Sequence, residues 1–249
     1  MQARCLLGLS IARPCPYDPT GPGNPRETSL HSVYVFDAYG TLFDTGAAVA
    51  RLAGEIGEDG RLLADIWRRK QLEYSWVRSL MGGAHRNFWD LTEDALDYAF
   101  QKVPTADPSL RGRLLEAYRD LDTFEEVPST LRALRDRGAR LAILSNGSRD
   151  MLARAVRSAG LDDVFDIVFS AEDCGTYKAA PAMYDLVTTH FRLYPDAVSF
   201  QSSNRWDIAG ATAFGFHTVW INRGGEPDEY LDLQPSGVLP DLRDLPKLV

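Results

Sequence analysis

The sequence is short of the residues on which several common kinds of site depend. It has three cysteines and four histidines in 249 residues, and none of them is grouped at the spacing of a zinc site. The cysteines, at positions 5, 15 and 174, also form no framework of paired spacings. A low cysteine content without paired spacings is typical of a reducing compartment, and we therefore expect a cytoplasmic protein. Because no zinc spacing is present, we expect no metal site.

Positive charge is scarce as well. Lysine and arginine number 27 against 35 aspartates and glutamates, which gives a net charge of -8. Nucleic acids and anionic membranes bind basic surfaces, so neither is expected as a main partner. A small anion stays compatible with this balance, because a few local cations suffice to hold it.

Long apolar runs are missing too. The apolar stretch from Cys5 to Ala12 is too short to span a bilayer, and Arg13 ends it. Five prolines then follow without a clean signal-peptide cleavage site. Residues 1–30 are therefore predicted to form a disordered, proline-rich leader.

Residues 46–121 carry helical patterns and no strand signal. Leu63, Ile66 and Trp67 recur at the spacing of one helix face. After the glycine pair at 82–83, further helices are predicted over residues 87–102 and 109–121. This segment is predicted to be a helical cap domain, inserted after the first strand.

Short apolar runs alternate with helical stretches in the rest of the chain. The predicted strands cover residues 33–36, 141–144, 165–169, 197–201 and 218–221, and the predicted helices cover 128–137, 150–158, 182–191 and 207–214. Strands separated by helices favour a parallel sheet with helices on both faces. We therefore predict a doubly wound, Rossmann-like α/β core over residues 31–45 and 122–249.

Polar side chains follow the predicted strands of this core. Asp37 ends the first strand, Ser145 and Asn146 follow the second, and Lys178 and Asp207 follow later ones. Each has a purely structural interpretation, as a turn or helix cap or as a surface lysine. Because the carboxyl ends of parallel strands meet at one edge, where such sheets bind ligands, their joint occurrence favours a site.

The motifs at these positions are specific. They are FDAYGTLFD from Phe36, IWRRKQLEY from Ile66, LAILSNGS from Leu141, Tyr177-Lys178, and SSNRWD from Ser202. With them the chain resembles the haloacid dehalogenase superfamily, and within it the L-2-haloacid dehalogenases, from about Val33 onwards. The resemblance implies a homodimer whose partners are a small 2-haloacid and water.

One position separates two chemistries within this superfamily. Its phosphatases usually carry a second aspartate two residues after the nucleophile, where this chain has Tyr39. A halide departs without a proton, whereas an alkoxide needs one. The resemblance therefore implies hydrolysis of short L-2-haloalkanoic acids to D-2-hydroxy acids, without a metal or cofactor. The alternatives are a magnesium-dependent phosphatase acting on a small phosphate ester, and a non-catalytic protein that keeps the fold.

The resemblance also implies roles for individual residues. Asp37 would attack the substrate and form an ester, with Lys178 holding it ionised, and Asp207 with Asn204 and Ser203 would activate water. The remaining predicted residues support this chemistry or bind the substrate: Thr41 and Ser202 as hydrogen-bonding supports, Tyr184 to orient Lys178, Arg68 and Asn146 for the halide, Ser145 for the carboxylate, and Tyr39, Trp206 and Phe88 as pocket walls. For Arg68, a solvated basic helix face is the structural alternative.

Overall fold

A computed structural model of the chain describes residues 31–82 and 85–248. The leader predicted over residues 1–30 lies outside this range. The strands are β1 Val33–Phe36, β2 Arg140–Ser145, β3 Ile167–Ser170, β4 Val198–Ser202, β5 His217–Ile221 and β6 Gly237–Leu239. The α-helices are α1 Ala47–Ala50, α2 Ala53–Ile56, α3 Gly60–Met81, α4 Phe88–Lys102, α5 Arg111–Arg119, α6 Val127–Asp136, α7 Arg149–Ser158, α8 Pro181–Phe191 and α9 Arg205–Phe214.

The six strands form one parallel sheet in the order β3-β2-β1-β4-β5-β6. All four residues of β1 are buried, as expected for a β-branched and aromatic strand with both faces covered. Along the chain, β2 and β3 are added on one side of β1, and β4, β5 and β6 are then added on its other side. In such sheets, ligands bind in the crevice at the carboxyl ends of the central strands, here those of β2, β1 and β4. The predicted doubly wound α/β fold is confirmed.

One strand was not predicted. β6 has three residues, of which only Leu239 is buried, and it pairs with β5 at the edge of the sheet. Three residues are too few to show an alternating pattern, so the pairing with β5 is what defines this strand.

Helices α1 to α5 all lie between β1 and β2 in the chain, within the predicted cap segment. Trp67 of α3 donates its indole N–H to the carbonyl of Thr92 in α4 at 2.9 Å, and Gln71 donates to the Thr92 hydroxyl at 3.0 Å. These bonds fix the first half of α3 on α4. The second half exposes apolar side chains, with Leu80 87% and Met81 63% exposed. The domain boundaries themselves stay a prediction.

Within the described ranges, no helix combines the length and the apolar character that a bilayer crossing needs.

Candidate active site

Asp37 lies directly after β1 and is almost fully buried. Its backbone N–H donates to the carbonyl of Gln201 in β4 at 2.9 Å, which continues the sheet by one residue. Its Oδ1 accepts from Lys178 at 2.9 Å, and its Oδ2 accepts from Thr41 at 3.0 Å and from Asn204 at 2.8 Å. Three donors fix the orientation of this buried carboxylate.

Lys178 lies buried between two carboxylates. Its ammonium donates to Asp37 at 2.9 Å and to Asp207 at 2.8 Å, and its backbone N–H donates to Oδ1 of Asn146 at 2.8 Å. Burial alone would lower the pKa of Lys178, but Asp207 and Asp37 together raise it above its usual value. The lysine is therefore a fixed cation that both carboxylates share.

Asp207 is completely buried in the first turn of α9. Burial raises its pKa to about 6, against the opposing effect of Lys178. Tyr184 donates to Oδ1 of Asp207 at 2.9 Å, so this tyrosine contacts Asp207 rather than Lys178, which it was predicted to orient. The reason is packing, because a β-carbon at Gly210 would lie 2.5 Å from the Tyr184 hydroxyl. Only a glycine there lets the phenol reach α9.

The loop after β4 is tied to the turn after β1. The Thr41 hydroxyl, which donates to Asp37, accepts the backbone N–H of Ser203 at 2.8 Å. Ser202 accepts the backbone N–H of Asn204 at 3.1 Å. Asn204 is at the N-cap position of α9, yet its amide donates to Asp37 instead of capping the helix. Ser203 thus contributes its backbone, while its buried hydroxyl has no hydrogen-bond partner in the described part of the chain.

A small cavity lies beside Asp37. Its empty volume is about 240 Å³, and it is lined by Asp37, Tyr39, Arg68, Leu72, Phe88, Ser145, Asn146, Asn204 and Trp206. The predicted nucleophile, pocket walls and substrate-binding residues therefore share one cavity. The other predicted site residues do not line the cavity. Their hydrogen bonds connect them to it through Asp37 or Asn204, and they are Lys178, Asp207, Thr41, Ser202, Ser203 and Tyr184.

Arg68, Arg69 and Lys70 are three consecutive basic residues, and of these Arg68 lines the cavity. It is half-buried and comes within 3.5 Å of the carbonyl of Tyr39, whereas the next residue, Arg69, is exposed. A solvated basic face therefore does not describe Arg68. Lys70 forms the local ion pair of this helix, with Glu73 at 2.7 Å.

Ser145 and Asn146 do not cap the helix that follows them. Ser148 does so, because its hydroxyl accepts the N–H of Met151 at 3.3 Å. The Ser145 hydroxyl accepts the backbone N–H of Gly147 at 3.1 Å, and the side-chain oxygen of Asn146 accepts the backbone N–H of Lys178. Asn146 also lines the cavity.

Leu72 also lines the cavity, although it was not predicted as a site residue. Its signal was its position one helical turn after Arg68, which places both on one face of α3. Over residues 31–82 and 85–248, no group of three or more histidine, cysteine or acidic side chains is arranged to hold a metal ion.

Known proteins are similar to this chain in sequence and in architecture. Residues 31–215 match the model of the haloacid dehalogenase-like hydrolase family. An (S)-2-haloacid dehalogenase from Pseudomonas sp. (strain CBS-3) is 43% identical over 86% of this chain and 95% of its own length. Another from Burkholderia cepacia is 44% identical over 79% of this chain and 85% of its own.

The solved structures agree. One of an L-2-haloacid dehalogenase from Xanthobacter autotrophicus, with chloropropionic acid covalently bound, has a TM-score of 0.77 and 34% identity, covering 87% of this chain and 97% of that one. The chain therefore belongs to the haloacid dehalogenase-like hydrolases and, within them, to the L-2-haloacid dehalogenase family.

Proposed function

We propose that this protein hydrolyses the carbon–halogen bond of short L-2-haloalkanoic acids without a metal ion, and releases D-2-hydroxy acids with inversion. The observation that carries the proposal is the position and hydrogen bonding of Asp37. This buried carboxylate accepts hydrogen bonds from three donors at the wall of a small cavity, and a tyrosine stands two residues after it.

In the first step, an oxygen of Asp37 attacks C2 of the substrate from the side opposite the halogen. A carbon–oxygen bond forms, the carbon–halogen bond breaks, and the halide leaves with the bonding electron pair. Oδ1 suits this attack, because it accepts one hydrogen bond, from Lys178, whereas Oδ2 accepts two. The product is a neutral ester on Asp37.

The substrate's carboxylate and its departing halide both need donors, and the cavity supplies them. Arg68 and the amide nitrogen of Asn146 would hold the departing halide, and the Ser145 hydroxyl with nearby backbone N–H groups would hold the carboxylate. Phe88, Trp206 and Leu72 supply apolar walls to the same cavity. A dry wall favours attack, since it removes water from the nucleophile.

In the second step, water adds to the carbonyl carbon of the Asp37 ester, releases the hydroxy acid and restores the carboxylate. Asp207, with Asn204 and Ser203, would position this water and accept its proton. A pKa of about 6 suits a base that works near neutral pH. Asp207 takes one hydrogen bond on each oxygen, from Tyr184 and Lys178, so lone pairs remain for water.

Tyr39 is what favours a halide over an alkoxide as the leaving group. Burial, and then the neighbouring Tyr118 hydroxyl, raises the pKa of Tyr39 well above its usual value. The phenol therefore stays protonated and offers no carboxylate for metal binding or acid catalysis. A halide needs neither, because it is a weak base that departs as the free anion.

The direct test is chloride release from L-2-chloropropionate in the presence of a chelator. We expect the parent protein to release chloride and Asp37→Asn to release none above background. In heavy-oxygen water, repeated turnover should place the label in the Asp37 side chain, because water attacks the ester at its carbonyl carbon. Chiral analysis should find the D-hydroxy acid.

Two outcomes would overturn the proposal. One is label in the product hydroxyl but not in Asp37, which would mean that water attacks the substrate directly. The other is inert haloacids together with magnesium-dependent hydrolysis of a small phosphate ester, which is the activity of a phosphatase.

We also infer that the protein is a cytoplasmic homodimer. The apolar side chains exposed along α3, Val77, Leu80 and Met81, would be covered by the same face of a second copy. Leu80→Glu should then convert a dimer into a monomer in analytical ultracentrifugation, and a monomeric parent protein would rule the dimer out. The cytoplasmic location is supported by the free, half-buried thiol of Cys174, and cell fractionation tests it.

A further inference from the structure

Two voids lie on opposite sides of one pair of stacked rings. Tyr39 lines the cavity of about 240 Å³ beside Asp37. Tyr118 lines a cleft of about 480 Å³ between α3 and the start of α1. The two rings stack with their centroids 5.8 Å apart and their planes 8° from parallel. Arg68 lines both voids, so the ring pair is the partition between them.

Tyr39 cannot move independently within this partition. On one side, a β-carbon at Gly147 would lie 2.8 Å from its ring, so the ring already fills the space up to that backbone. On the other side it contacts Tyr118. The position of the cavity wall therefore depends on what stands behind Tyr39.

Tyr118 is held firmly from the cap helices. It is 3% exposed and packs on Trp67 with the ring centroids 5.0 Å apart. Its hydroxyl donates to Gln71 at 3.4 Å, and Gln71 in turn donates to Thr92. A side chain fixed in this way keeps Tyr39 in place and keeps the cleft closed off from the cavity.

Phe88 lines the cavity but does not border the cleft. Phe88 packs on Tyr177, with centroids 5.8 Å apart, and both side chains are 1% exposed. Shortening Phe88 would only open a pocket against a buried ring. The Tyr39–Tyr118 partition is different, because empty space is already present behind it.

We propose that Tyr118 limits the chain length of the substrate, by backing the Tyr39 wall of the cavity against the adjoining cleft. The inference rests on the proposed function. Tyr118 does not line the cavity, so it is a positioning residue that acts through Tyr39. Removing its ring would let Tyr39 turn towards the cleft and would join the two voids into a longer pocket.

The test compares 2-bromohexanoate with 2-bromopropionate, as the ratio of kcat/KM for halide release. Tyr118→Leu should raise this ratio about tenfold or more, because each methylene that an apolar pocket newly accommodates is worth about 10-fold or more in kcat/KM. Tyr118→Phe keeps the ring and should keep the parental ratio. Tyr98→Leu makes the same substitution at a half-buried tyrosine of α4 outside both voids, and should change neither activity nor ratio.

A loss of folding would not make the proposal untestable. Tyr118→Met has about the volume of the leucine variant, but its flexible side chain fills irregular gaps, and it should shift the ratio in the same direction. A folded Tyr118→Leu or Tyr118→Met protein that dehalogenates bromopropionate with the parental ratio would overturn the inference alone. A parent protein that releases no halide from either acid would instead overturn the proposed function.

Discussion

The two sides of the cavity differ in how their polar groups are held. On the core side, Asp37, Lys178 and Asp207 are nearly or fully buried and bonded to one another at 2.8 to 2.9 Å. On the cap side, Arg68 is half-buried, and its contact with the carbonyl of Tyr39 is a long 3.5 Å. The core side is thus organised before any ligand binds, while the cap side keeps donor capacity that a bound anion can use.

This difference predicts that changes on the core side affect stability and activity together, and changes on the cap side affect activity alone. The largest effect is expected for Lys178→Met. It leaves two buried carboxylates without their shared cation, which should cost about 3–5 kcal/mol in the free energy of unfolding. Halide release should fall about 10³-fold. Urea denaturation and a chloride assay measure the two effects.

Lys247→Met is the control for this change, since Lys247 forms an exposed ion pair with Asp244. Its effect on unfolding should stay within about 0.5 kcal/mol. Near-parental stability of Lys178→Met would contradict a pre-organised core side.

On the cap side, Arg68→Met should lower halide release about 10²-fold, because it removes one donor from the leaving group. Its free energy of unfolding should change by less than about 1 kcal/mol, since Arg68 is not part of a buried ion pair. The neighbouring exposed residue offers a matched control, and Arg69→Met should leave both quantities near the parental values. Equal losses of activity in the two variants would mean that general charge, and not the position of Arg68, matters.

A smaller effect is expected behind the core side, at Gly210. Gly210→Ala brings a β-carbon to 2.5 Å from the Tyr184 hydroxyl and 2.6 Å from the β-carbon of Ala179. Such overpacking costs about 1–3 kcal/mol, and it displaces Tyr184 from Asp207. Thermal unfolding should show the loss, and slower turnover should accompany it.

Gly112→Ala is the matched control within α5, where an added β-carbon meets nothing within 4 Å. That change should stabilise the protein by about 0.4–1 kcal/mol, through the entropy of the unfolded chain. If both alanine variants behaved alike, the close packing at Gly210 would have no energetic consequence.

The core of the fold could be predicted from the sequence because its signals are local. The buried run Val33–Phe36 and the alternation of strands with helices specify a parallel sheet, and a parallel sheet places Asp37 and the loop after β4 at one edge. The edge strand β6 could not be predicted, because it is defined by its neighbour β5. The exposure of Leu80 was equally hidden, since helical spacing gives a face but not what covers it.

The sequence by itself determined which chemical groups are present: one nucleophilic carboxylate, a lysine, and a tyrosine where a second carboxylate would otherwise stand. Only the tertiary structure decided which of these groups meet the cavity, which lie behind it, and that Tyr184 reaches Asp207 rather than Lys178. The physical reason is that residue identity is local, whereas a contact such as that of Tyr39 with Tyr118 depends on the packing of segments far apart in the chain.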